Sequence, residues 1–301
     1  MRISVITPTI DTAIFVNEAV ASVGQQDYAN IEHIVVHDGG DDFIARLRSR
    51  HPYLKILRGQ GNGATAAAKL GLEAATGEFI FWLNSDDRIV SGSIACLLRQ
   101  AAKKSSIRIW TGGARVFTAA SDGTDETVRL VTGRAMTAMN LGNVFDDLPL
   151  VTSRFIHRSV IAEIGNFDPT FSESSDREFM LRAVVAGIPE DYLGMVVSEL
   201  RMHEGSRTIH RKKNWIPPYL AEHVRIADSW LNNSALPADM RVFFRRWRAR
   251  ESLRLAVSLW RAGKRGEATY LLAGEIARDP TWLLRAPSVV TAWRRRHRAP
   301  E

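Results

Sequence analysis

A single cysteine, Cys96, stands among 301 residues. One thiol excludes an intramolecular disulfide framework and a cysteine-built zinc site, and it fits a reducing compartment. Cys96 lies in Ile94-Ala95-Cys96-Leu97-Leu98, so a buried structural thiol is expected rather than a nucleophile. Long apolar runs are missing too: none approaches the roughly 20 residues of a membrane-spanning helix. The N-terminus, Met1-Arg2-Ile3-Ser4-Val5-Ile6, runs straight into a strand pattern, with no signal peptide expected. No Gly-x-Gly-x-x-Gly follows that strand; Thr7-Pro8-Thr9 stands there instead, which argues against a dehydrogenase. The early glycine-rich phosphate loop with a basic residue, expected of a nucleotidyltransferase, is also absent.

What is present suffices for a sizeable core. The chain is 45% apolar, so one large domain, or a domain with an appendage, is expected. Net charge is +7, unevenly spread. Residues 201–301 hold 21 basic and 9 acidic side chains, a balance of +12, and the first 200 residues carry −5. The basicity belongs to the C-terminal third and suits an anionic surface.

The first half alternates strand and helix patterns. Strands are expected at Arg2–Thr7, Ile31–His37, Tyr53–Leu57 and Glu78–Leu83. Helices are expected at Ala13–Gly24, Asp41–Arg50, Ala64–Ala75 and Ile94–Lys103. Such alternation implies βαβ units, a mostly parallel sheet, and convergence of the loops Thr7–Asp11, Asp38–Asp41, Gly59–Gly63 and Asn84–Asp87 at one edge. Antiparallel strands Ile107–Thr118 and Thr127–Thr132 follow, then a short helix Arg134–Leu141, helices Ser159–Ile164 and Asp176–Ala186, and a strand Tyr192–Met202. Beyond a boundary placed between Thr208 and Trp215 the pattern is helical: Trp215–Asn232, Arg241–Ala262 and Gly266–Arg278.

The most informative stretch is Phe79-Ile80-Phe81-Trp82-Leu83-Asn84-Ser85-Asp86-Asp87. An apolar strand ending in acids puts carboxylates at the carboxyl edge of the sheet, where open α/β sheets bind ligands. Buried acids need a partner charge or a metal, and Mg²⁺ or Mn²⁺ holding substrate phosphates suits them. The alternative is a helix cap formed by Ser85 or Asp86.

Several blocks, in order, resemble family 2 inverting glycosyltransferases. They are Ser4-Val5-Ile6-Thr7-Pro8-Thr9, Ser22 through Tyr28, Ile31 through Gly40, Ala74-Ala75-Thr76-Gly77-Glu78 and Trp82 through Asp87. Gly165-Asn166-Phe167-Asp168, Asp176 through Arg182, and Arg201 through Ser206 complete the set. The resemblance covers roughly residues 1–208. It implies a GT-A, nucleotide-sugar-binding α/β fold at residues 1–210, followed by a basic all-helical extension at 211–301.

The resemblance also implies roles. Thr7, Pro8 and Thr9 lie along the nucleoside, though Pro8 also simply ends a strand. Asp38, with Gly39 and Gly40, accepts a base imide N–H, the alternative being a turn Asp bonded to its own backbone. Asp86 is the metal ligand; Asp87 ligates or caps. His203 completes the metal or phosphate contacts, or is a strand-end histidine. Asn84 stands where the family's Asp-x-Asp begins, and with Ser85 it faces the donor. Asp176 is the general base, the first-turn acid of a helix, or both. Arg182 is structural, and Arg201 and Ser206 contact phosphate. Lys69 faces the diphosphate or the solvent. Ala66, Lys69 and His37 depart from residues common in relatives.

The activity implied is metal-assisted transfer of a sugar from a nucleotide-diphosphate sugar, UDP by family frequency, to a hydroxyl of a glycan or lipid-linked acceptor. The alternative is a non-catalytic nucleotide-sugar or glycan-binding homologue at a membrane. The acceptor region is expected between Gly133 and Arg154. Arg241–Arg250 and Trp282–Arg298 mix aromatics with arginine. The first is expected to pack on the catalytic domain and the second to meet an anionic membrane. The expected location is cytoplasmic, peripheral on the inner face of the cell membrane. No recognition module for nucleic acid accompanies the charge.

Overall fold

Strand β1 (Ile3–Ile10) is buried at nearly every position because both its faces are covered. Ile3 and Val5 point into a core completed by α1 (Val16–Gly24), through Ala19 and Val23, and by α4 (Ser93–Lys103), through Ile94 and Leu97. On the other face Ile6 packs against Gly71 of α3 (Gly63–Ala74). The computed structural model describes residues 1–11, 13–119, 124–146, 151–205 and 218–282 in full, and the backbone of 216 and 217. It divides into two compact units, Met1–Ser206 and Arg207–Glu301.

The first unit is built on a nine-stranded mixed sheet. Its parallel part orders β3 (Lys55–Arg58), β2 (Ile31–Asp38), β1 and β4 (Phe79–Trp82), with α2 (Asp41–Arg50) joining β2 to β3. The sheet continues through β8 (Arg154–His157), β6 (Ile109–Ala119), β9 (Glu190–Arg201) and β5 (Arg88–Ile89), with β7 (Asp125–Val131) paired antiparallel to β6. The fold is thus the expected α/β type with C-terminal helices. The β6–β7 hairpin lies where the alternation placed it, within a few residues.

Two strands escape the sequence pattern. β5 has only two residues. β8 begins with Arg154, whose buried guanidinium donates to the Thr137 carbonyl at 2.6 Å. Burial pushes its pKa down to about 10. A charge at a buried sheet position masks the strand. The short helix expected at Arg134–Leu141 is split into α5 (Arg134–Thr137) and α6 (Leu141–Phe145). Asn140 accepts from Asn143 N at 2.9 Å and caps α6 as a new start. Helices α7 (Arg158–Ile164) and α8 (Ser175–Val185) complete the unit.

The second unit contains α9 (Ile216–Asn232), α10 (Ala238–Arg261) and α11 (Arg265–Arg278). Two buried ionic networks join these helices. Glu251 accepts from His223 Nδ1 (3.0 Å), Arg250 Nε (2.7 Å) and Arg254 (2.8 Å). Arg248 bonds Asp228 at 2.6 Å and pairs with Glu275. Within Arg241–Arg250, Phe244 and Trp247 are buried, Phe244 against Trp230 and Trp247 against His223 of α9. Residues 283–298 of the second basic stretch lie outside the described residues; Trp282 is buried. Among the described residues no helix is long and apolar enough to cross a membrane.

Candidate active site

The carboxyl ends of β1, β2 and β3 are stitched together by two carboxylates. In the β1–β2 register Ile10 lies opposite Asp38. Asp11, one residue on, accepts from Gly40 N at 3.0 and 3.1 Å and meets Nε2 of His37 at 3.1 Å. His37 is fully buried and stacks flat on Phe43 at 4.3 Å. Asp38 Oδ1 accepts from Gly61 N at 3.0 Å, which pins the loop after β3. Close approach explains two glycines: a Cβ on Gly39 would lie 2.5 Å from Asp11, and one on Gly59 would lie 1.7 Å from Asp38 Oδ1. Thr7 is turned inward, its hydroxyl 2.9 Å from His33 Nε2. Thr9 is buried as well, and Pro8 is half-buried between them.

A second cluster forms where the turn after β4 meets the end of β9. Trp82 Nε1 donates to Asn84 Oδ1 at 3.1 Å, and Asn84 Nδ2 donates to Asp87 Oδ2 at 2.8 Å. Arg201 N donates to Asp87 Oδ1 at 2.9 Å. Asp87 is 4% exposed; burial, and then the charge of Asp86, push its pKa up to about 8. Asp86 is placed differently. Its Oδ2 lies 3.1 Å from His203 Nε2, and both side chains remain about a quarter to a third exposed, at 31% and 26%. Gly205 N donates to His203 Nδ1 at 3.2 Å, which leaves the ring proton on Nε2, facing Asp86. Ser85 is half-buried on the same turn.

Arg201 braces this cluster. Its Nε donates to the Asp86 carbonyl at 3.3 Å, its guanidinium pairs with Glu18, and it lies over Phe15 at 4.2 Å and Phe117 at 4.7 Å. Arg88 and Arg115 contact the same Phe117 ring at 4.4 and 5.0 Å, and both bond Glu199 at 2.9 Å. Asp125 pairs with both, and its pKa is lowered mainly by the Arg88 hydrogen bond. Phe15 also meets His203 edge-on at 5.0 Å, so the start of α1 reaches the Asp86 cluster.

Asp176 is exposed in the first turn of α8, its Oδ1 accepting from Arg177 N at 2.7 Å. The helix start is fixed by Ser175 Oγ against Thr65 of α3 at 2.9 Å. Farther along, Phe179 packs on Phe167 at 4.8 Å, and Phe167 on Trp82 at 5.5 Å. The Trp82 side chain therefore touches both the α8 packing and the Asn84 amide. Arg182 is structural: it pairs with Glu178 and caps the end of α7 at Ile164 and Gly165. Lys69 is half-buried on α3, its carbonyl receiving Asn166 Nδ2 at 3.3 Å. Ser206 lies outside the described residues. In the expected acceptor stretch, Arg177 donates to the Val144 carbonyl, tying α6 to α8.

Sequence reading passed over Asp11, Phe15 and Glu18. Asp11 had a signal: it is an acid immediately after a buried strand, much as Asp38 is the acid that ends one. Phe15 and Glu18 had none, because their partners are distant in sequence: Arg201 and His203 for Phe15, Arg88 and Arg201 for Glu18. Among the described residues no group of three or more His, Cys, Asp or Glu is arranged to hold a metal. A cation here would therefore rest on Asp86, with His203 contributing through Nε2 only in its other tautomer, the proton on Nδ1 and the Gly205 bond given up. Mg²⁺ and Mn²⁺ accept one or two carboxylates when substrate phosphates and water complete the shell, so the donor set fits.

Residues 4–112 match the family described as Glycosyl transferase family 2. A GalNAc(5)-diNAcBac-PP-undecaprenol beta-1,3-glucosyltransferase of Campylobacter jejuni is 29% identical over 106 residues, 33% of this chain and 34% of that one. This chain thus matches about a third of that relative's length. An uncharacterized glycosyltransferase of Mycobacterium tuberculosis is 28% identical over 192 residues, 62% of this chain and 70% of its own. Among solved structures, Staphylococcus aureus TarS 1-349 in complex with UDP-GlcNAc superposes with TM-score 0.60 at 17% identity, over 86% of this chain and 72% of that one. The Pyrobaculum calidifontis mannosyltransferase PcManGT, in complex with GDP-Man and Mn²⁺, gives TM-score 0.56 at 16% identity, over 97% and 80%. Residues 4–112 thus match the family 2 glycosyltransferases, and the chain has the GT-A fold of these solved structures.

Proposed function

We propose that the protein is an inverting glycosyltransferase that moves a sugar from a nucleoside-diphosphate sugar, UDP-linked by preference, to a hydroxyl of a glycan or lipid-linked acceptor. The observation that carries this reading is the partly exposed Asp86–His203 pair at the carboxyl edge of the sheet that also presents Asp38. The nucleotide sugars held by TarS and PcManGT, and the Mn²⁺ of the latter, support it.

The base would lie beside Ile10, which is exposed and opposite Asp38 in the strand register. Asp38 Oδ1 is taken by Gly61, and Oδ2 is left to accept an imide N–H. The strand-end backbone at Thr7, Pro8 and Thr9 runs along the nucleoside, the two threonine side chains being occupied within the protein. Asp86 and His203 would hold Mg²⁺ or Mn²⁺, and a cation bound there neutralises charge on the diphosphate. Ser85 and Lys69 face the same phosphates. Asp176 takes the proton of the acceptor hydroxyl as that oxygen bonds to the anomeric carbon. The bond from that carbon to the diphosphate breaks with its electron pair leaving on the nucleotide. That departing group needs no protonation.

The second compact unit suggests attachment to an anionic bilayer. Val242, Phe243, Val257 and Trp260 are exposed on α10, interleaved with exposed Arg245, Arg246 and Arg261. Aromatic and aliphatic residues among arginines suit an acidic headgroup layer. A lipid-linked acceptor would be met at that surface.

A thermal-shift series tests the donor site: UDP, GDP, dTDP and their sugar conjugates, each with and without Mn²⁺, on the wild type and Asp86→Ala. A metal-dependent shift with one nucleotide, lost in Asp86→Ala, is expected. No shift with any nucleotide would sink the reading.

A further inference from the structure

Asn84 stands where the family pattern begins with an acid, yet its amide is engaged inside the protein. The indole N–H of Trp82 can only donate, so the Asn84 oxygen must be the atom facing it at 3.1 Å. That fixes the flip of the amide and turns its NH₂ to Asp87 Oδ2 at 2.8 Å. The other oxygen of Asp87 receives Arg201 N at 2.9 Å. A carboxylate buried as deeply as Asp87 needs a donor on each oxygen. An ionised acid at position 84 could not provide one, and it would set a third carboxylate beside Asp86 and Asp87.

Arg201 closes the arrangement by donating to the Asp86 carbonyl at 3.3 Å. The turn is therefore held at both ends, by β4 through Trp82 and by β9 through Arg201. The Asp86 carboxylate is left facing His203 at 3.1 Å.

We infer that Asn84 is a positioning residue rather than a ligand. The chain Trp82–Asn84–Asp87–Arg201 is a strut that aims Asp86, and the amide allows a cation site built on one carboxylate. This rests on the donor-site reading above.

The test is a Mn²⁺ titration followed by the paramagnetic signal of the free ion, with UDP present, on the full chain and well below its unfolding temperature. Wild type, Asn84→Asp and the swap Asn84→Asp/Asp87→Asn are compared, and metal-free UDP affinity is measured in parallel. Residues that orient a ligand typically carry roughly 10- to 100-fold in metal affinity, and Asn84→Asp should lose at least the lower figure. The swap should regain most of it: the introduced amide donates to the introduced carboxylate, and its oxygen still accepts Arg201 N. Metal-free UDP affinity should stay constant.

Mn²⁺ binding by Asn84→Asp as tight as wild type, or tighter, overturns the strut and makes position 84 a ligand. Failure of the swap to recover overturns it as well. If Asn84→Asp does not fold, a folded, Mn²⁺-binding swap variant supports the strut and an unfolded one refutes it. A wild type that binds neither UDP nor Mn²⁺ overturns the donor-site reading itself, which separates the two failures.

Discussion

Asp38 Oδ1 occupies the space that a side chain on Gly59 would need, 1.7 Å from the Cβ position. A contact so short cannot relax without moving the carboxylate. Gly59→Ala should therefore displace Asp38 and weaken UDP binding by roughly tenfold or more, with a folding cost of about 1–3 kcal/mol, as overpacking usually brings. Calorimetric titration with UDP and urea unfolding read the two effects. Unchanged affinity would remove Asp38 from the base site.

Asp176 sits exposed at the start of α8, where a carboxylate also complements the helix dipole. Asp176→Asn retains the shape and loses the proton acceptor. Transfer should fall by about 10²- to 10⁴-fold, while the donor dissociation constant stays put. Normal turnover would move the base elsewhere. Equal, undetectable turnover in wild type and variant, with intact nucleotide binding, would favour the non-catalytic homologue.

His33 gives the first unit a pH dependence. It is fully buried beside Thr7, and burial lowers its pKa from 6.5 to about 3. The ring stays neutral in the fold, whereas the unfolded chain takes up a proton below pH 6.5. Stability from this group is thus complete above pH 6.5 and lost as pH falls toward 3, by about 2 kcal/mol on reaching roughly pH 5. His33→Gln should flatten that part of the urea-midpoint profile. Parallel profiles for the two proteins would contradict it.

In the second unit, Glu251 is buried against His223, Arg250 and Arg254. These partners hold its carboxyl well below the usual range despite its burial. Glu251→Ala removes the acceptor shared by buried His223 and the more exposed Arg250 and Arg254, and leaving the buried imidazole N–H unsatisfied should cost about 1–3 kcal/mol. Denaturant unfolding monitored by tryptophan fluorescence would register this; a change below about 1 kcal/mol, the range of exposed pairs, would mean the network is idle.

Sedimentation with phosphatidylglycerol vesicles tests the outer face of α10. The full chain should pellet at low salt, and Arg245→Glu/Arg246→Glu/Trp260→Ala should not. Identical pelleting of both proteins would reject this face.

The parallel half of the sheet was legible because β4 is wholly apolar and β1 and β2 each carry four Ile or Val residues in eight between turn residues. β8 was not, since Arg154 is buried where the pattern demands an apolar side chain. Within the site, Asp86 and Asp38 were readable as acids ending buried strands. The difference between Asp86 and its neighbour Asp87 was not. It depends on Arg201 N, 114 residues away, and no local pattern carries such a pairing. The tautomer of His203, set by Gly205 N, was equally hidden.

The arginines around Phe117 have a consequence for substrate capture. Arg88, Arg115 and Arg201 face Glu18, Glu199 and Asp125, charge for charge. That rim is electrically quiet and offers a diphosphate little long-range pull. An anionic donor would reach the sheet edge by ordinary diffusion and be retained by shape and a borrowed cation, so its association rate should barely change between low and physiological salt.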